Sequence, residues 1–107
     1  RTEVEYILGH APVTNDEEIT NLIGEAVRNV WGDDMVVELA EPSLGADDFG
    51  EFSQVVPSSY FRLGIKKLDE EVYSLHHPKF NFDDKLLSKG ASIFAVMALH
   101  LIDNMKK

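Results

Sequence analysis

Between residues 15 and 32 the chain carries an apolar stripe, Ile19, Leu22, Ile23, Ala26, Val27 and Val30, at the spacing that a helix gathers on one side. The polar run ahead of it, Thr14-Asn15-Asp16-Glu17-Glu18, offers two capping boxes, Thr14 with Glu17 or Asn15 with Glu18. Gly32 stands where a left-handed terminating residue is expected. A second, broader stripe runs through Leu86, Leu87, Ile93, Phe94, Met97, Ala98, Leu101 and Ile102. Asp83 and Asp84 are its N-cap candidates, and Lys106 and Lys107 suit its C-terminal end. Gly90 interrupts this stripe at a helix-interior position, where glycine costs about 1 kcal/mol relative to alanine, so close packing on a sheet is its expected reason. His100 lies beside the stripe and reads as a packed or surface histidine rather than a ligand.

The segments between the stripes have strand character. Residues 2 to 8 alternate, with Val4, Tyr6 and Leu8 on one side and Glu3, Glu5 and Ile7 on the other. Met35 to Leu39 is a short valine-rich run ended by Glu41-Pro42-Ser43, and Tyr60 to Ile65 reads as a third strand. Leu44 to Val56 suits a short helix closed by Pro57, with Asp47 and Asp48 in its first turn, where the helix dipole favours carboxylates without any catalytic role. Lys66 to Glu71 reads as a solvated loop. The resulting order, strand, helix, strand, short helix, strand, long helix, predicts an α/β layered fold. At 107 residues and 44% hydrophobic content the chain fits one packed domain, although it is short for an enzyme that encloses a substrate.

Charge narrows the partners. Nineteen acidic residues against ten basic give a net charge of −9, which repels nucleic acid and anionic membrane surfaces. Cysteine is absent, so a metal would be held by nitrogen and oxygen ligands, and an intracellular, cytoplasmic setting is expected. The sequence shows neither an apolar run of about 18 residues nor a charged-then-apolar start, so no membrane span or signal peptide is expected. The first residue is Arg1 rather than Met, which is consistent with a piece of a longer chain.

The chemistry concentrates in Tyr73-Ser74-Leu75-His76-His77-Pro78-Lys79-Phe80-Asn81-Phe82-Asp83-Asp84, where two imidazoles sit on a proline-stiffened loop ahead of a helix. Pro78 pushes His77 toward an extended conformation, so that only one of the two histidines can face a given site. The bland reading is a solvated or hydrogen-bonded surface pair.

Three blocks together resemble the C-terminal part of the metal-dependent amidohydrolases and peptidases, the family of aminoacylases, hippurate hydrolases and auxin-conjugate hydrolases. They are Gly45-Ala46-Asp47-Asp48-Phe49, Val56-Pro57-Ser58-Ser59-Tyr60-Phe61-Arg62-Leu63-Gly64, and Leu75 to Asp84. The resemblance implies a two-domain, dimetal enzyme that cleaves the amide bond of an N-acyl amino acid or small peptide. It makes residues 1–9 the last strand of a lid domain that often mediates homodimerisation, and residues 10–107 the closing part of the catalytic domain. Zinc is the expected metal, and the ligand types also accept manganese, cobalt and nickel.

On the same resemblance His76 is the metal ligand and His77 occupies the variable position after it. Gly45, Asp47 and Asp48 line the substrate cleft, with Asp47 replacing the usual glutamate and so keeping a carboxylate one methylene shorter. Ser58 replaces a usual glycine. The family's other ligands and its general-base glutamate match no segment here, and catalytic zinc needs about three protein ligands, so the isolated chain is expected to be inactive. The rival reading is a free-standing acidic α/β module that binds a protein partner without catalysis.

Overall fold

The first apolar stripe folds as predicted into a helix, α1, Glu17–Trp31, in the computed structural model, which describes residues 1–66 and 71–105. Its cap is Asp16, whose carboxylate accepts the Ile19 N–H at 2.9 Å, in place of either expected capping box. A cap of this kind contributes about 1 kcal/mol. Asn15 is drawn away by a different bond, described below. Gly32 ends α1 with φ 97° and donates its N–H to the Arg28 carbonyl, so the terminating glycine stands where the sequence placed it. Ile19, Ala26 and Val27 are buried, whereas Val30 is half exposed.

After a 3-10 turn at Asp33–Met35 come two further helices, α2 at Phe49–Ser53 and α3 at Lys85–Asn104. No strand forms among the described residues, which corrects the α/β expectation. Period-two alternation reports only that one face is apolar; a strand exists through hydrogen bonds to a neighbour. Residues 2–8 have no such neighbour, and Val4, Tyr6 and Leu8 are each 84% exposed. Met35 is absorbed into the 3-10 turn, with Val37 and Leu39 exposed beyond it, and Tyr60 to Ile65 makes no ladder.

The chain divides into two compact units, Arg1–Tyr60 and Phe61–Lys107. In the first, polar ties join the start of α1 to the segment around and after α2. The Asn15 amide donates to the Tyr60 carbonyl at 3.0 Å and accepts the Tyr60 N–H at 2.8 Å, taking the place of a peptide group. Asp16 N–H reaches the Ser58 carbonyl at 2.8 Å, Thr20 Oγ1 donates to Ser59 Oγ at 2.9 Å, and Ala11 N–H reaches Glu51 Oε1 at 3.1 Å. Gly50 is required here, because a Cβ on it would collide with the Ala11 carbonyl.

In the second unit α3 buries Ile93 and Met97, four residues apart on one face, and Phe61 meets Phe94 with ring centroids 5.6 Å apart. Asp83 accepts the Lys85 N–H at 3.0 Å, so the aspartate one place earlier than Asp84 starts the helix. A Cβ on Gly90 would lie 3.6 Å from the Leu63 side chain, an ordinary van der Waals contact, which corrects the expectation that this glycine serves close packing on a sheet. Of the broad stripe, Leu87, Phe94 and Ile102 remain exposed. By length and composition alone α3 could cross a membrane, which corrects the reading that no segment reaches span length. Core helices of soluble proteins reach the same length and hydropathy. Lys67 to Glu70 of the expected solvated loop, and Lys106 and Lys107, lie outside the described residues.

Little of the apolar side-chain surface is covered.

Candidate functional site

His76 is the one non-glycine residue with positive φ among the described residues, at 70°. It sits third in the turn Ser74-Leu75-His76-His77, closed by a 3.0 Å bond from the His77 N–H to the Ser74 carbonyl. A positive φ at that position alone is the mark of a type II turn, where glycine or asparagine is usual. For a side chain such as histidine this backbone costs on the order of 1–3 kcal/mol and persists only where the surroundings impose it. The His76 imidazole is exposed and makes no hydrogen bond, ion pair or ring contact among the described residues.

His77 is committed elsewhere. Its Nδ1 accepts the Lys79 N–H at 3.1 Å, its carbonyl accepts the Phe80 N–H at 2.8 Å, and its ring stacks on Tyr73 with centroids 4.6 Å apart and planes 15° apart. Lys79 Nζ stands 5.5 Å from the Tyr73 ring centroid, within cation–π range. The Tyr73 hydroxyl donates to Glu71 at 2.7 Å. That bond, helped by burial, raises the Tyr73 pKa above its ordinary 10.0, since losing the phenolic proton would bring two negative oxygens together. The sequence reading missed this cluster, although the four-residue spacing of Tyr73 and His77 around a turn was its visible signal.

In the first unit, Asp47 acts locally. Its Oδ1 accepts the Phe49 N–H at 2.9 Å, its carbonyl accepts the Gly50 N–H at 3.1 Å, and its Oδ2 accepts the Tyr60 hydroxyl at 3.0 Å. The shortened carboxylate therefore opens α2 and pins it to Tyr60, whose ring also meets Phe49 at 5.3 Å. Asp48 is exposed and forms no side-chain cap. Gly45 donates its N–H to Ser43 Oγ at 3.2 Å in an exposed turn. Gly45, Asp47 and Asp48 thus belong to the first unit and His76 to the second.

No group of three histidine, aspartate or glutamate side chains that could hold a metal ion occurs among the described residues. Catalytic zinc takes about three protein ligands and an open position. The donor chemistry fits a contributed ligand: one exposed imidazole with no partner among the described residues, beside a second whose Nδ1 accepts the Lys79 N–H.

A sequence model of peptidase family M20/M25/M40 matches residues 1–100. A probable hydrolase of Synechocystis sp. is 35% identical over 96% of this chain and 26% of its own length. Thermostable carboxypeptidase 2 of Saccharolobus solfataricus is 34% identical over 91% of this chain and 24% of its own. IAA-amino acid hydrolase ILR1-like 2 of Arabidopsis thaliana is 29% identical over 85% and 20% respectively. The chain spans about a quarter of the length of the curated relatives it matches. No solved structure matches it.

Proposed function

Because the chain belongs to peptidase family M20/M25/M40, a family of hydrolases, we propose that it forms the C-terminal part of a metal-dependent amidohydrolase. The substrates in this reading are N-acyl amino acids or small peptides, cleaved at the amide bond. The family match over residues 1–100 carries the proposal, supported by names such as amino acid hydrolase and carboxypeptidase among the relatives. Membership in a hydrolase family favours this reading over a free-standing interaction module.

The family is generally metal-dependent. In this reading His76 supplies one ligand, and residues outside this chain supply the rest. Divalent ions bound in such a site lower the pKa of a water to about 7 and polarise the scissile carbonyl. This chain's own part is positional. His76 offers an imidazole nitrogen from a fixed turn, Asp47 rigidifies the Gly45–Phe49 wall, and Asp48 presents an unshared carboxylate toward solvent. Asp47, already holding an N–H and a hydroxyl, is a wall residue rather than a proton shuttle. Residues 1–9 are assigned in the same proposal to a lid domain and residues 10–107 to the catalytic domain.

The test is hydrolysis of N-acyl amino acids and dipeptides by the complete gene product loaded with Zn²⁺, Mn²⁺, Co²⁺ or Ni²⁺. Activity is expected with at least one ion and its loss in His76→Ala, together with lower metal content by elemental analysis. Full metal occupancy in the His76 variant would remove it from the ligand set. The isolated 107-residue chain is expected to give no turnover with any of these ions; metal-dependent turnover that co-purifies with it would overturn the assignment as a contributing part.

A further inference from the structure

We propose that His77 and Tyr73 are positioning residues that hold His76 in its ligand-presenting conformation, an inference resting on the reading of His76 as a metal ligand. Three observations carry it. His76 adopts a left-handed backbone that histidine disfavours. The turn containing it is bracketed by Tyr73 and His77, whose rings stack at 4.6 Å, so a side-chain clamp closes the ends that the backbone bond from His77 to Ser74 also closes. His77 is then anchored on its far side by the Lys79 N–H on Nδ1 and the Phe80 N–H on its carbonyl.

These bonds define what His77 can do. Accepting the Lys79 N–H hydrogen bond at Nδ1 occupies that lone pair, and the neutral ring then carries its hydrogen on Nε2, so no lone pair is left for an ion. Adjacent histidines thereby divide the work: one ring is spent on the scaffold and the other remains open. Tyr73 is tied in turn by Glu71 at its hydroxyl and Lys79 near its face, so that the stack is held from both partners. Releasing the stack lets the turn relax toward ordinary φ at His76, which swings the imidazole away from the direction in which it meets an ion.

The experiment uses the complete enzyme and reads Zn²⁺ affinity by competition with a chromophoric chelator, beside kcat and KM at saturating Zn²⁺. Tyr73→Ala and His77→Ala are expected to weaken Zn²⁺ binding by about 10-fold, the lower end of what loss of an orienting partner does, and to lower kcat with KM little changed. His77→Phe and Tyr73→Phe each keep a ring in the stack; both are expected to retain most of the affinity. Because the two rings act through one stack, the Tyr73→Ala/His77→Ala double variant should be little worse than either single one. Circular dichroism verifies folding, and Tyr73→Phe and His77→Phe stand in if the alanine variants fail to fold: affinity falling in either by as much as in His76→Ala would overturn the proposal. Wild-type Zn²⁺ affinity in folded Tyr73→Ala and His77→Ala, with His76→Ala losing the ion, would overturn the positioning role alone. Full Zn²⁺ binding in His76→Ala would overturn the ligand reading and this proposal with it.

Discussion

At the scale of single residues, His76 unites two properties that usually exclude each other, a backbone suited to glycine and a side chain suited to chemistry. Replacing it separates them. In the complete gene product prepared without added metal, His76→Gly should be more stable than His76→Ala by about 1 kcal/mol, because glycine adopts positive φ without penalty. Denaturant unfolding of the two variants measures the difference, and equal stabilities would mean that the turn relaxes when the imidazole is gone. A second residue-scale expectation concerns Tyr73. Its pKa is raised in the folded state, so the hydrogen bond to Glu71 is fully present below the ordinary tyrosine value and is lost as pH rises through the raised one. Absorbance at the tyrosinate band should therefore show one late-titrating tyrosine, moved toward 10.0 by Glu71→Gln; an unmoved titration would sever the pair. The imidazole's identity was legible from the motif Leu75-His76-His77-Pro78, but its left-handed backbone was not, since neither glycine nor asparagine is there to announce it. Asp47 was half legible: an acidic residue at a helix start was foreseen, whereas its second oxygen on Tyr60 depends on a residue thirteen places away.

Among the elements, α1 and α3 were legible because their information is local, a stripe at helical spacing with polar residues at the start. The supposed strands were not, because pairing depends on which backbone lies alongside, and alternation carries no name for that neighbour. The glycines sort by the same logic. Gly50→Ala should destabilise markedly, since the Ala11 carbonyl occupies the space of the new Cβ. Gly90→Ala should instead stabilise by about 0.5–1 kcal/mol, the ordinary helix-interior gain where the methyl meets only the Leu63 side chain. Thermal unfolding of both variants in the complete enzyme tests the pair, and a Gly90→Ala loss would show that α3 lies closer to a neighbour than the 3.6 Å contact indicates.

For the molecule as a whole, each unit leaves apolar groups uncovered, Val4, Tyr6 and Leu8 in the first and Leu87, Phe94 and Ile102 in the second. If the chain is the C-terminal part proposed above, the isolated 107 residues should bind a hydrophobic dye such as ANS strongly and the complete gene product weakly. Equal dye binding would mean that these surfaces stay open in the longer protein. The ties that end the first unit carry a different implication, one of timing. Asn15 is joined to Tyr60 across 45 residues, and Asp16 and Thr20 to Ser58 and Ser59 just before it. A ribosome adding about 5–20 residues each second completes α1 roughly 1.5 to 6 seconds before it makes the carbonyl and amide that Asn15 grips. During that interval the nascent helix has its Asp16 cap but no clasp, and the segment that will fasten it is still being translated.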